Sequence, residues 1–132
     1  MKESNARTQS RVIDFLRGFT EDLNKMAAEG WILLVEGQRD ASAMKSLGYR
    51  GAVLTLSKLT GDIRRNLGTP TGVIILTDLD REGRLLAARY TRILTHEGLK
   101  TTLAERRRLL VASNGVFREI ENLSRFADSS AD

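Results

Sequence analysis

Cysteine is absent from the 132 residues of this chain, and histidine and proline each occur once, as His96 and Pro70. Without cysteine there can be no disulfide, thiolate zinc site or cysteine nucleophile. A single histidine excludes any metal site that needs two imidazoles. No apolar run approaches the roughly 20 residues of a membrane-spanning helix, and the N-terminus lacks the apolar core of a signal peptide. We therefore expect a cytoplasmic protein without a membrane partner.

The composition is typical of a folded protein, with 41% hydrophobic and 29% charged residues. The length suits one core, so we predict a single domain over residues 1–132. Lysine and arginine total 21 against 17 for aspartate and glutamate, which gives a net charge of +4. Arginine makes up most of this positive charge, and its planar donors match phosphate oxygens. A polyanionic partner and a compositional habit of the source genome explain this bias equally well.

Helical and strand patterns alternate along the chain, and most are bounded by glycine. Continuous apolar runs such as 31–35 and 72–76 are typical of parallel strands that are buried on both faces. This order predicts an α/β protein of three layers, with a four-stranded parallel sheet in the order 2-1-3-4 and helices on both faces. The predicted strands are 31–35, 52–55, 72–76 and 101–103. The predicted helices are 10–29, 40–47, 57–67, 82–96 and 116–126, with frayed ends at 1–9 and 127–132.

Two of the predicted strands run directly into acidic residues. The first strand ends in Glu36-Gly37, and the third is followed by the string TDLDREG, which contains Asp78, Asp80 and Gly83. Ligands of open parallel sheets bind beyond the carboxyl ends of the strands. If these strands are neighbours, the carboxylates converge, and their repulsion calls for a cation. An all-oxygen cluster selects Mg²⁺ or Mn²⁺, and the two glycines allow close approach of backbone or ligand.

The strings VEGQRDASAMKSLG and LTDLDREGRLLA resemble the two motifs of the Toprim domain. That domain is shared by type IA topoisomerases, bacterial-type primases, OLD-family nucleases and a ribonuclease that matures ribosomal RNA. The resemblance covers residues 30–104 and implies a Rossmann-like core. The apolar pattern places a C-terminal helical segment over 105–126 after this core. It also implies Mg²⁺ at the acidic strand ends and nucleic acid as the partner.

Carried over by position, the resemblance implies roles for individual acids. Glu36 corresponds to a glutamate that acts as an acid/base group or an indirect metal contact. Asp78 and Asp80 correspond to metal-binding aspartates, and Glu82 to the third acid of the topoisomerases. Asp40 lies where several members carry a further acid, although it could equally cap a helix.

The chain also departs from the larger members of the family. Arg84 stands where the topoisomerases commonly carry an acid, and their tyrosine nucleophile lies on a separate domain. Tyr49 and Tyr90 lie within the predicted domain, and we interpret both as structural. The zinc module of the primases is missing as well. The chain thus resembles a Toprim domain that stands almost alone, as in small primase-like proteins.

Arginines form two groups near the second motif. On helix 82–96, Arg84, Arg89 and Arg92 lie on the same side as Arg81, opposite the apolar residues. They could contact phosphates beside the metal site or form an ordinary charged face. The run 106–108 could be a second basic cluster or a solvated turn.

These observations favour a Mg²⁺-binding protein that acts on or binds nucleic-acid phosphodiesters, as a nuclease or by primase-like phosphoryl transfer. The first alternative is a non-catalytic nucleic-acid-binding subunit that works with protein partners in a processing complex. A phospho-receiver-like domain is a weaker alternative, because it needs a lysine at the end of a late strand and Lys100 precedes its strand. Whether the chain is an enzyme stays open at this point.

Overall fold

The computed structural model describes residues 2–59 and 67–127. Within them the chain alternates between helices and strands, as the sequence predicts. The α-helices are α1 (Lys2–Ala28), α2 (Gln38–Ser46), α3 (Arg81–His96) and α4 (Ala104–Ser113). The strands are β1 (Trp31–Val35), β2 (Val53–Thr55), β3 (Gly72–Ile75) and β4 (Thr101–Thr102). Two 3-10 segments, η1 (Leu56–Lys58) and η2 (Ile120–Phe126), complete the set.

The four strands form one parallel sheet in the order β2-β1-β3-β4. This confirms the predicted topology, with the first and third strands adjacent. Leu33 at the middle of β1 lies opposite Val53 on one side and Ile74 on the other. β3 is buried along its whole length, as expected of a central parallel strand that is covered on both faces.

Alternate strand residues enter two separate cores. Leu33 and Ile74 pack into a core that α1, α2, α4 and η2 complete, with Phe19, Leu23, Met44, Leu109, Ile120 and Leu123 among its fully buried members. Leu34 and Ile75 point to the other face, where they pack with Ala87 and Leu94 of α3. Because successive side chains of a strand point to opposite faces, the sheet separates two helical layers. The predicted three-layer arrangement is confirmed.

The first helix is longer than the sequence analysis predicts. α1 begins at Lys2, so residues 2–9, expected to be frayed, are helical, and Ser10 lies inside the helix rather than at its N-cap. No glycine or proline precedes Gly18, and therefore nothing in this stretch stops a helix. At the other end Gly30 adopts φ +98°, the left-handed conformation expected of the residue that closes a helix.

The C-terminal part differs more. Residues 104–113, which include the arginine run, form the helix α4, and the predicted helix 116–126 is replaced by a turn and the 3-10 segment η2. Asn114 and Gly115 both have positive φ, at 42° and 81°, and they reverse the chain after α4. The sequence pattern does not predict α4, because the apolar residues Leu110 and Val111 are exposed and so do not follow the spacing of a buried helical face.

The predicted helix 57–67 falls largely on residues 60–66, which lie outside the described residues; Ser57 itself is part of η1 rather than a helix cap. The ends of the other elements differ from the predicted ones by one or two residues. None of the helices in the described ranges is long and apolar enough to cross a membrane.

Candidate metal and phosphate site

The acidic ends of β1 and β3 meet at the carboxyl edge of the sheet. The backbone N–H of Asp78 donates a hydrogen bond of 2.7 Å to Glu36 Oε2. This bond joins two residues that are 42 positions apart, because the strands before them are paired neighbours. The structure therefore brings the Glu36 carboxylate to the backbone of the DLD turn, the residues 78–80.

The turn after β3 is held by short-range hydrogen bonds. Asp80 is the N-cap of α3, and its Oδ1 accepts the N–H of Gly83 at 2.7 Å. The hydroxyl of the buried Thr77 donates to the Gly83 carbonyl at 2.6 Å. A Cβ at Gly83 would collide with the carbonyl oxygen of Asp78, so only glycine fits this position without movement of the backbone. The glycine of the DREG string thus sets the geometry of the aspartates.

Arg106 lies directly behind this turn. Its side chain is buried, with 8% exposure, and it donates to the Asp78 carbonyl at 2.6 Å and to the Thr77 carbonyl at 3.3 Å. Burial lowers the pKa of Arg106, while the nearby carboxylates of Asp80 and Glu36 raise it. Arginine remains protonated under such conditions. Arg106 therefore places a fixed positive charge directly behind the turn that carries the aspartates.

The sequence pattern predicts a basic cluster or a solvated turn at Arg106, so this role was missed. The signal that could have revealed the role of Arg106 was the spacing of the residues in α4. Arg106, Leu109 and Ser113 are the buried residues of α4, three and four positions apart, as on one helical face. The two arginines that follow Arg106 are exposed, and Arg108 pairs with Asp22 at 3.1 Å. The run 106–108 is therefore not one cluster but a buried residue and two surface residues.

The two carboxylates that meet at the sheet edge both hold protons more tightly than usual. The pKa of Asp78 is raised to about 6, mainly by burial and further by the carboxylates of Glu36, Asp40 and Asp80. A hydrogen bond of 2.8 Å from the Ile120 N–H to Asp78 Oδ1 acts in the opposite direction. Burial also raises the pKa of Glu36, again as the largest cause. Raised carboxylate pKa values are expected where a cation would be bound.

The remaining acids and Gly37 lie around this pair. Asp40 is buried within α2, and its Oδ2 accepts the N–H of Gly37 at 3.0 Å, while burial raises its pKa. Glu82 is exposed on the first turn of α3. Gly37 has extended backbone, and a Cβ there would meet nothing within 4 Å. The β1 end therefore has free space that the β3 end lacks.

The arginines of α3 lie on the surface. Arg81, Arg84, Arg89 and Arg92 are all exposed, and none pairs with an acid in the described ranges 2–59 and 67–127. Leu85 is 56% exposed on the same helix, whereas Ala87 and Leu94 are buried. The basic face predicted from the sequence is thus present, and its charges are available to a ligand.

The donor set suits a hard cation that is held only partly by the protein. Three carboxylates of the site each accept a backbone N–H with one oxygen, and no described residue donates to the other oxygen. These carboxylates belong to Glu36, Asp78 and Asp80. Across the described residues, no three acidic or histidine side chains come together closely enough to enclose a metal ion. Mg²⁺ characteristically keeps several waters and takes one or two carboxylates together with substrate phosphate. The residues fit such an ion.

A parallel α/β sheet with acidic side chains at the carboxyl ends of its central strands defines a class of domains whose ligands bind at that edge of the sheet. The family within this class is shown by comparison: residues 30–105 match the Toprim domain model, and the chain belongs to that family. Toprim domains generally bind Mg²⁺ through acidic residues. Membership supports a metal-binding module with a role connected to nucleic acids.

Similar proteins occur in archaea. The UPF0292 protein of Methanocaldococcus jannaschii is 33% identical over 75% of this chain and 80% of its own length. The UPF0292 protein of Pyrococcus horikoshii is 33% identical over 90% of this chain and 83% of its own. A solved structure of a putative protein from Aquifex aeolicus shares the fold with a TM-score of 0.63, at 24% identity over 80% of this chain and 94% of that one.

Proposed function

We propose that this protein binds nucleic acid at the carboxyl edge of its sheet and hydrolyses phosphodiester bonds with the help of Mg²⁺. Hydrolysis is the simplest chemistry for the site, because water can be the nucleophile and no tyrosine needs to be supplied from another domain. Tyr49 is buried and donates its hydroxyl to the Ala52 carbonyl at 3.0 Å, so it has a structural contact already.

The observation that carries the proposal is the hydrogen bond between Glu36 Oε2 and the Asp78 N–H. It places a carboxylate with a raised pKa next to the aspartates that follow β3. A raised pKa makes a carboxyl group a better proton acceptor, which suits a general acid or base. The same closeness lets the aspartates share one ion with a phosphate.

Each residue then has a role that its contacts support. Asp78 and Asp80 would hold Mg²⁺ through their second carboxylate oxygens, and Glu82 would support it from the first turn of α3. A bound Mg²⁺ would supply charge stabilisation at the phosphate oxygens. Glu36 would transfer the proton, and the exposed arginines of α3 would hold the phosphate backbone of the substrate.

A second function rests on the same surface. The site could bind nucleic acid without cleaving it, as an accessory subunit in a processing complex, because the exposed arginines by themselves provide affinity for phosphates. The receiver-like alternative has less support, since Lys100 precedes β4 and is exposed.

The test is incubation of the purified protein with labelled single-stranded and double-stranded DNA and RNA, with Mg²⁺, Mn²⁺ or a chelator. Metal-dependent cleavage that Asp78→Ala abolishes supports the enzyme. Asp14→Ala is the matched control, because Asp14 is an exposed acid on α1. Binding without cleavage in any metal would reject the nuclease and leave the accessory function.

Asp80→Asn separates metal binding from folding. The amide oxygen of asparagine can still accept the Gly83 N–H, so the helix cap is kept. We expect the melting temperature in chelator to be unchanged or raised, and the stabilisation by Mg²⁺ to be reduced. A severe loss of stability in chelator would show that Asp80 serves the fold alone.

A further inference from the structure

A separate cavity of about 360 Å³ opens beside the acidic site, between the DLD turn and the segment that follows α4. Its lining includes Asp80, Arg81, Phe117 and Arg118. Phe117 is buried, with 4% exposure, whereas the two arginines are exposed. The cavity thus combines an apolar wall with two cationic side chains, and Asp80 is common to it and to the acidic site.

The segment that follows α4 is joined to the DLD turn by two hydrogen bonds of its backbone. The Leu79 N–H donates to the Arg118 carbonyl at 2.6 Å, and the Ile120 N–H donates to Asp78 Oδ1 at 2.8 Å. The reversal at residues 114–115 directs the chain back across the ends of the strands. Arg118 is therefore held beside the DLD turn by its own carbonyl and by the N–H of Ile120, two residues later.

The two arginines of this cavity, Arg81 and Arg118, have no ion-pair partner among the described residues, although the carboxylate of Asp80 also lines the cavity. Two guanidinium groups beside an apolar wall attract an anion strongly, since arginine provides forked donors and the wall excludes water. Arg118 also lies outside the residues 30–105 that match the Toprim model, so the family match does not account for it.

We propose that this cavity binds the terminal phosphate monoester of a nucleic-acid strand, a proposal that rests on the function given above. A phosphate monoester carries about −1.5 to −2 charges at neutral pH and three acceptor oxygens, which matches two arginines better than the single charge of an internal phosphodiester. The cavity is at the small end of ligand sites, which begin near roughly 300 Å³, and it suits one terminal nucleotide rather than a duplex. Because Asp80 lines both the cavity and the acidic site, a terminal phosphate held by the arginines would bring the neighbouring phosphodiester close to that site.

The experiment measures binding of single-stranded oligonucleotides of one sequence that carry a 5′-phosphate, a 3′-phosphate or hydroxyls at both ends. Fluorescence anisotropy is recorded in chelator, so that the result does not depend on metal or cleavage. We expect a terminal phosphate at one of the two ends to increase affinity at least about fivefold, as a charge-assisted hydrogen bond would. Equal affinities for the three oligonucleotides would overturn the proposal.

Variants test whether the cavity is responsible. Arg118→Ala should remove the preference for the phosphorylated end, and Arg118→Lys should keep part of it. The matched control is Arg17→Ala, which removes an exposed arginine from α1, and it should leave the preference unchanged. A preference that survives Arg118→Ala would contradict the proposal. Metal-dependent cleavage with equal affinity for all ends would leave the proposed function intact and reject this site alone.

Discussion

The two acidic strand ends of the sheet are built differently, although each places an acid and a glycine after a buried strand. The β3 end is tightly packed: Gly83 touches the Asp78 carbonyl, and Arg106 binds the backbone from behind. The β1 end is open, because Gly37 has free space around the position of a Cβ. The comparison indicates that the β3 end holds its aspartates rigidly, while the β1 end leaves room for a ligand.

This difference follows from what each turn must support. The turn after β3 contacts α3, α4 and the segment before η2, so its carbonyl and N–H groups are enclosed and need partners. In the turn after β1, Asp40 of α2 satisfies the Gly37 N–H locally, and the Glu36 side chain makes the hydrogen bond to the β3 end. Substitutions in the two turns should therefore have unequal effects.

The largest effect is expected from Arg106→Met. The substitution leaves the Thr77 and Asp78 carbonyls without their charged donor and removes the positive charge behind the carboxylates. We expect a loss of about 3 to 4 kcal/mol in the free energy of unfolding, measured by urea denaturation. Arg107→Met is the control, since that side chain is exposed, and it should change stability by less than about 0.5 kcal/mol. Equal effects of both variants would refute the distinct role of Arg106.

The two glycines provide the most direct comparison. Gly83→Ala forces a Cβ against the Asp78 carbonyl, and we expect a loss of about 2 to 3 kcal/mol in stability. Gly37→Ala meets no neighbour and should be close to neutral for stability in the same denaturation experiment. If Gly37→Ala nevertheless weakens nucleic-acid binding, the open space at β1 is used by a ligand. Equal losses of stability in Gly37→Ala and Gly83→Ala would contradict the proposed difference between the two strand ends.

The protonation of Asp78 gives a third, smaller effect. Its pKa is raised from 3.8 to about 6, so the folded protein binds more protons than the unfolded chain between these values. The free energy of unfolding in chelator should therefore fall as pH rises through this range. Asp78→Asn keeps the acceptor for the Ile120 N–H but cannot ionise, and it should stabilise the protein at pH 7 by about 1 to 2 kcal/mol.

The measurement is a series of denaturation curves between about pH 4 and pH 7, with Asp14→Asn as the control at an exposed acid. Addition of Mg²⁺ at pH 7 should stabilise the unchanged protein more than Asp78→Asn. A slope with pH that is identical in the unchanged protein and in Asp78→Asn would show that another group is responsible.

The smallest effect concerns the exposed arginines of α3. If Arg84, Arg89 and Arg92 contact phosphates, each alanine substitution should reduce the slope of log affinity against log salt by about 0.7 to 0.9. The reduction should be the same for every nucleic-acid sequence, because phosphate contacts do not read bases. Binding isotherms at four or more salt concentrations provide the measurement. An unchanged slope in the triple alanine variant would show that these arginines are only a solvated face.

Local patterns were enough to predict most of the fold. The apolar runs 31–35 and 72–76 are typical of central parallel strands, and Gly30, Gly48 and Gly98 mark where helices end. The strand order and the approach of Glu36 to the DLD turn follow from the same alternation of strands and helices. The strands and helices themselves depend on residues that are close in sequence, and once β1 and β3 are neighbours their acidic ends meet although Glu36 and Asp78 are 42 positions apart.

Other features were decided only by tertiary contacts. Arg106, Arg107 and Arg108 are the same residue type side by side, yet burial makes the first a support for Asp78 and leaves the others on the surface. Arg118 approaches Asp80 because backbone hydrogen bonds join segments that are about 40 residues apart. The charge of an arginine can be read from the sequence, but its role depends on solvent exposure and on distant partners, and only the folded chain determines these.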